Sequence, residues 1–471
     1  MKHGIVVVGA GAAGLMAAGR AAELGADVLL LEKTGGIGNK LRITGKGRCN
    51  LTNDCEIREF IAHFGPTGPF LRNSLARYYV SDLIQFFAAH GVPTVTERGQ
   101  RVFPASNEAE DVVKALRRYC LDHGVQFRTH APVEEIRVVE GALRGVRVVG
   151  GATYDARRVI IATGGLSYPG TGSTGDGYRL ARAVGHTVVE PRPGLVPLVT
   201  AEPFVERLQG LSLRNVRATL LQGNRELGGE FGEMLFTHFG VSGPIILTLS
   251  RLATEALAKG PVRLSIDLKP ALSAEQLDAR IRRDIAALGA SSYPALLKRL
   301  LPRLLIAVFQ ERSGIARDRA LSQLTADERG RIVTLLQAFD LTVVATRPIT
   351  EAIITIGGVS TREIDPRSME SRLVPGLYFA GEVIDVAGDT GGFNLQVAFT
   401  TGRVAGESAA RAAQRSDEPP ANGAAASPRQ AAPVAQAAQT VASGDPAADR
   451  LRLVTFGFLG LAALLFAMTV V

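Results

Sequence analysis

Six residues, Gly9-Ala10-Gly11-Ala12-Ala13-Gly14, constrain the fold more than any other stretch of this chain. They follow an apolar, valine-rich run at residues 4–8, the pattern of a strand buried on both faces, and they open an amphipathic helix. Gly9 permits a tight turn. Gly11 lets backbone N–H groups approach a pyrophosphate at the helix N-terminus, beside Ala13, and Gly14 lets helix and strand pack closely. Residues 26–31 read as a second strand, which ends in Glu32 and Lys33. A carboxylate at Glu32 accepts hydrogen bonds from an adenosine ribose and disfavours a 2′-phosphate. A GxGxxG alone is weak; between a strand and a helix, and followed by this acid, it specifies a dinucleotide other than NADP.

Three later stretches choose FAD over NAD. "RRVIIATGG" at 157–165 is another buried strand, ending in Thr163-Gly164-Gly165. "GLYFAGEVID" at 376–385 is a strand followed by Gly381-Glu382, where flavoproteins with such folds place a carboxylate, usually Asp, near the ribityl and pyrophosphate groups. "GDTGGFNLQVAFTTGRVAG" at 388–406 is a glycine turn opening a helix. Its first N–H groups, at Gly392, Phe393, Asn394 and Leu395, suit the N1–C2=O edge of a flavin and stabilise the anionic reduced form. An extended FAD needs such a closing element and NAD does not. No second GxGxxG follows a strand, so a nicotinamide reductant, NAD(P)H, is expected to bind only transiently over the flavin.

The 471 residues allow two or three domains, and 46% hydrophobic with 21% charged residues is ordinary for a globular enzyme. Cys49, Cys55 and Cys120 form no CxxC and no metal-ligand spacing, which argues against a dithiol reductase and for no metal site. The net charge of +8 suits an anionic ligand, an anionic membrane surface or RNA. Residues 412–449 are rich in Ala, Pro, Gln, Ser and Asp and read as a disordered linker. Residues 453–471 carry no charge, and nineteen helical residues span roughly 28 Å, enough for a bilayer core. Arg450 and Arg452 precede this run, so the expectation is a C-terminal transmembrane tail anchor with the enzyme on the cytoplasmic face of the membrane. A helix docking on the globular part is the alternative.

Four motifs lie outside the nucleotide signature: "KLRITGKGRCNLTN" at 40–53, "GGLSYPGTGSTGDGYRLARAVGH" at 164–186, "GEMLFTHFGVSGPIIL" at 232–247 and "ITIGGVSTREIDPRSMESRLVPGLYFAGEVIDVAGDTGGFNLQ" at 354–396. On these, residues 3–411 resemble the BaiN-like, or aminoacetone-oxidase, family of bacterial flavoproteins, which includes a 3-dehydro-bile-acid Δ4,6-reductase. Thr44 and Phe393 depart mildly from a pattern that commonly has Ser and Tyr there. The resemblance implies an α/β fold: a discontinuous Rossmann-type domain holding noncovalent FAD, interrupted by a β-barrel-like domain and a small helical domain. It also implies a backbone contact to adenine at Val133, which by itself looks like strand core.

The residues support the same partition. The FAD domain takes 1–194 and 357–411. Short alternating stretches such as "VRATLLQ" and "VRLSIDL" place a β-rich domain at 195–272 and 340–356, and residues 273–339 read helical, opening at Ser273 with Glu275 close behind. In the loop after Glu32, Lys40 and Arg48 are candidates to offset phosphate charge, and Asn50 to contact FAD. Cys49 reads better as a small buried thiol than as a reactive one. Tyr168 and His238 are the candidate catalytic residues, as a proton donor over the isoalloxazine and as an acid/base respectively; a turn residue and a structural histidine are the plain alternatives. Arg101 is a candidate clamp for an acidic substrate, and Asp385 and Asp389 read as turn and cap residues.

The expected activity is hydride transfer through FAD between a nicotinamide and a small molecule, an enone, a steroid-like compound or an amine. A membrane-tethered flavin dehydrogenase or electron-transfer protein linked to quinones is the alternative. A tRNA-modifying flavoprotein would need a basic helical C-terminal domain, where this sequence reads as a linker and a membrane span, so no nucleic-acid partner is expected. Substrate and oligomeric state stay open.

Overall fold

A computed structural model describes residues 2–417. The strand Lys2–Val8 lies at the centre of a seven-stranded sheet, because Ile5, Val6 and Val7 are apolar on both faces and all are fully buried. It pairs in parallel with Val28–Leu31 on one side, Val6 opposite Leu29, and with Thr153–Ile161 on the other, Val6 opposite Val159. Gln126–Arg128 extends the first side. On the second, the antiparallel hairpin Val133–Val139 and Ala142–Val148 flanks the start of Thr153–Ile161, and Leu377–Phe379 flanks its end. The carboxyl ends of the parallel strands therefore gather Gly9, Glu32, Thr163 and Gly381, drawn from positions up to 372 residues apart, since 381 − 9 = 372.

The helix Ala12–Glu23 begins directly at the glycine turn and lies against the helix Phe393–Asp417. Their approach depends on missing side chains. A Cβ at Gly402 would stand 2.3 Å from the carbonyl oxygen of Ala13, and one at Gly406 2.3 Å from that of Ala17.

Six strands close the barrel in the order Leu198–Thr200, Gly240–Ser242, Arg225–Thr237, Ser212–Gln222, Val262–Asp267, Phe339–Thr346. Alternate residues point inward, so Ala218, Leu220, Leu264 and Ile266 are fully buried. The helix Pro244–Leu257 covers it, although the sequence reading saw only short strands there. Its signal is a proline at the first turn followed by Ile245, Ile246, Leu249 and Ala253 at helical spacing, all buried.

The helices Ala274–Leu288, Tyr293–Leu300, Arg303–Ser313 and Ala326–Gln337 occupy the segment expected to be helical. Ser273 caps the first: its Oγ accepts from the Gln276 N–H, and Gln276 Oε1 accepts from the Ser273 N–H. These helices have no core of their own; Leu277, Ile281, Leu305 and Ile332 join the same apolar cluster as the barrel. Between barrel and sheet, Val188–Gly194 and Ile354–Val359 pair as a two-stranded ribbon.

The final described helix runs to Asp417, past residue 412, where the linker was expected to start. The alanine-rich stretch after residue 408 sustains it. The rest of the expected linker and the apolar run 453–471 lie outside the described residues. Among the described residues no helix is long and apolar enough to cross a membrane.

Candidate functional site

One cavity of about 1420 Å³ runs from the glycine turn to the barrel. At its nucleotide end the three glycines have separate reasons to be glycine. Gly9 has a φ of 101°, and a Cβ there would lie 2.6 Å from the Ala162 carbonyl oxygen. A Cβ at Gly14 would lie 1.8 Å from the Gly9 oxygen, inside the helix–strand contact. Gly11 meets nothing within 4 Å, because its missing side chain would enter the cavity. Ala13 lines the same wall and touches Gly381, whose φ is 77°.

Glu32 sits at the strand end with its carboxylate fixed. The Ala10 N–H donates to Oε2 at 2.8 Å, and the Thr34 N–H and hydroxyl both donate to Oε1 at 2.8 Å. Lys33 is turned away from the cavity into an ion pair with Asp176 at 2.6 Å and a contact with Thr174, so it does not line the site. Val133 is buried strand core whose carbonyl accepts from Arg179 Nη2 at 3.1 Å; it does not line the cavity either.

Midway along, Lys40 Nζ donates to Glu382 Oε2 and to Ser167 Oγ, both at 2.7 Å, while the Thr355 N–H donates to Glu382 Oε1 at 2.7 Å. This network ties the loop after Glu32 to the turn after the last sheet strand. Thr163 and Gly164 line the cavity beside it. Arg48 also lines it, but its guanidinium is committed to Glu97 and Asn107 and lies over the Phe103 ring, 4.1 Å from the centroid. It is a brace for the loop, not a free phosphate ligand. Asn50 Oδ1 and Thr163 Oγ1 are buried in the cavity wall without a hydrogen-bond partner. Such atoms call for a ligand donor.

The helix Phe393–Asp417 starts at the cavity, where Gly392, Phe393, Asn394 and Leu395 line the wall. Gly392 has a φ of 100° and lies against the backbone of Thr52, where a Cβ would stand 2.4 Å from carbonyl oxygen. Asn394 locks the preceding turn: its Nδ2 donates to the Gly388 and Asp389 carbonyls, and its Oδ1 accepts from the Gly388 N–H. The helix N-terminus thus stays oriented toward an anionic edge. Strand ends, an open Gly11 and two orphaned polar atoms fit an extended dinucleotide such as FAD.

Toward the barrel the walls become side chains. His63 lines the cavity, hydrogen-bonded through Nδ1 to Asp389 Oδ2 at 2.9 Å and stacked on Phe393 at 4.0 Å between ring centroids. Glu230, half-buried on the barrel strand Arg225–Thr237, has its carboxyl pushed up by burial and then by Asp389. Glu59, Arg101 and Glu233 complete this end. His63 had no local sequence signal, and Asp389 was read only as a turn residue. Neither candidate catalytic residue is here. His238 is exposed in the barrel hairpin after Thr237, ring to ring with Phe239. Tyr168 is exposed at a φ of 52°, before the turn Pro169–Thr171. Neither lines the cavity.

Burial pushes the Cys49 thiol up to about 12, Cys55 to about 11 and Cys120 to about 12, so none is a poised nucleophile. Among the described residues no group of acidic, His and Cys side chains is placed to hold a metal.

The family described as HI0933-like protein Rossmann domain matches residues 3–408. A ribosomal RNA dihydrouridine synthase of Haemophilus influenzae is 33% identical over 403 residues, covering 84% of this chain and 96% of that protein. A 3-dehydro-bile acid delta(4,6)-reductase of Clostridium scindens is 33% identical over 410 residues, covering 86% and 98%. The FrdA subunit of Escherichia coli quinol fumarate reductase shares the fold at 18% identity, with a TM-score of 0.50 over 89% of this chain and 72% of that one. The chain belongs to the HI0933-like Rossmann family of FAD-dependent oxidoreductases.

Proposed function

We infer that this protein is an FAD-dependent reductase that saturates a carbon–carbon double bond conjugated to a carbonyl, with NAD(P)H as a transient reductant. The observation that carries the reading is the two-ended cavity. At about 1420 Å³ it continues past the glycine turn to barrel side chains such as Glu233 and Met234, so its far end is available to a second reactant beyond the dinucleotide. The two curated relatives differ in substrate, but each name denotes the same bond change: a uridine becomes dihydrouridine, and a 3-oxo steroid loses a conjugated double bond.

Bound FAD supplies hydride transfer. The chain's own groups would hold and orient it: Glu32 at the ribose, Gly9 and Gly11 at the pyrophosphate, with Gly14 keeping helix and strand close, and the Lys40–Glu382 network bracing the wall beyond. The start of Phe393–Asp417 offers N–H groups to developing negative charge.

The acceptor is a small conjugated carbonyl compound in the first reading. Uridine within RNA is a second, favoured by one feature of the cavity rim. Lys46 and Arg101 are exposed there, Arg101 opposite Glu97 across the strand pair, and both are placed to meet phosphate. The apolar run 453–471 supports placing the enzyme on the cytoplasmic face of a membrane as part of the same proposal, where quinones would be alternative acceptors. The test is anaerobic: the reduced holoprotein is mixed with a steroid 4-en-3-one, with a uridine-containing RNA and with a quinone. Flavin reoxidation with a two-hydrogen mass gain in the steroid or the RNA base supports the reading and chooses between the substrates. Reoxidation by the quinone alone overturns it.

A further inference from the structure

Resting on that reductase reading, we propose that His63 delivers the proton in this site and that Asp389 is its positioning residue. The chain carries seven histidines, and His63 is the one that lines the cavity. The imidazole is fixed twice, by Asp389 through Nδ1 at 2.9 Å and by the Phe393 ring, inclined at 28° to it. The backbone closes the same link, since the Asp389 N–H donates to the His63 carbonyl at 3.3 Å. Asp389 is held in turn by the Asn394 clamp. With Nδ1 engaged, Nε2 has no hydrogen-bond partner among the described residues, and 33% of the His63 side chain is open to solvent.

Carboxylates approach this ring from more than one element. Asp389 is in contact, Glu230 on the barrel strand is near enough for Asp389 and His63 to act on its carboxyl, and Glu59 lies one turn earlier on the helix Ile57–Ala62, which His63 ends. Of the cations nearby, Arg217 acts on Glu230, Arg251 packs on Gly65 two residues beyond His63, and Arg101 lines the same end of the cavity. The arrangement is a carboxylate–imidazole pair in which the carboxylate sets tautomer and orientation.

The step balances without a further reagent. A hydride and its electron pair, originating from the dihydronicotinamide, form a C–H bond at the carbon β to the carbonyl. The double-bond electron pair moves to the α carbon and its carbonyl. The Nε2–H proton then forms the second C–H bond at the α carbon, and neutral His63 regains a proton from water. The dihydronicotinamide is oxidised and the double bond is reduced.

The test compares holoprotein of wild type, His63→Gln and Asp389→Asn, with FAD content per chain as the check on folding. All three should hold FAD equally, and D389N should show the same selective loss with an enone acceptor as H63Q, smaller in size at about ten-fold. Turnover with NADPH is then compared for two acceptors. Ferricyanide takes electrons alone; 2-cyclohexen-1-one needs the proton. H63Q keeps ferricyanide turnover within about two-fold and loses about a hundred-fold with the enone. Enone turnover in H63Q that matches wild type, or an equal fall with both acceptors, overturns the role of His63. A wild type that reduces ferricyanide and none of the enone, the steroid 4-en-3-one and the uridine-containing RNA defeats the reductase reading, and the proton step falls with it.

Discussion

The two ends of the cavity are built on opposite principles. The nucleotide end is made of backbone: strand termini, helix N-termini and glycines whose lack of a side chain is the point, with Gly9 and Gly14 pressed against neighbouring carbonyls. The barrel end is made of side chains, with His63, Arg101, Glu233 and Asp389 reaching in from four separate segments. The first end is rigid and indifferent to what lies beyond the flavin. The second is where chemistry and selectivity can change without disturbing the fold. That contrast matches relatives of equal identity that act on a nucleic acid and on a bile acid.

The contrast is open to direct attack, and the largest effect is expected at Gly11. The Cβ position at Gly11 is open, so Gly11→Glu directs its carboxylate into the cavity, and the apoprotein should fold with an unchanged melting temperature. FAD affinity should fall about a thousand-fold, roughly 4 kcal/mol, read by flavin content and fluorescence titration. Gly406→Val should do the reverse in kind. Its side chain collides with the Ala17 carbonyl, and the cost falls on folding, about 3 kcal/mol by urea denaturation. Lys40→Met removes the ammonium from Glu382 and loosens the join between the two ends; about 2 kcal/mol of stability should go with it, measured the same way.

The smallest effect concerns pH. His186 is buried between Glu363 and Ser371, and burial pushes its imidazole below the usual range against the pull of Glu363. The unfolded chain therefore binds that proton more readily. Stability is fully present above the unfolded histidine value of about 6.5 and is lost as pH falls below it toward the folded value. The slope is at most about 1.4 kcal/mol per pH unit for this one group, and His186→Gln should flatten that part of the denaturation profile.

What the chain disclosed before folding follows the same division. The turn at Gly9, Gly11 and Gly14, the acid at Glu32 and the helix opening at Gly392 are local patterns, since each is written within a few consecutive residues. Their placement at the cavity follows from parallel pairing, which aligns strand ends whatever their distance in sequence. The pairing of His63 with Asp389 spans 326 residues and left no mark in either neighbourhood. Composition invites error in the same way. Arg48 was a sound candidate for phosphate until Glu97, 49 residues on, claimed it. His238 sits in a motif dense with polar residues, yet the hairpin turns it outward. The helix Pro244–Leu257 was legible in principle, because its apolar residues recur at helical spacing, but the strands on either side suggested more of the same.

The three buried thiols have a practical consequence. With burial holding Cys49, Cys55 and Cys120 at about 11 to 12, less than about one thiol in a thousand is ionised at neutral pH. Alkylating reagents and peroxide find almost no thiolate to attack. The native chain is therefore its own cysteine-silent background. A single cysteine introduced on the barrel surface, for a dye or a spin label, would be the reactive one, and the distance from that probe to the flavin could be followed without first removing a natural residue.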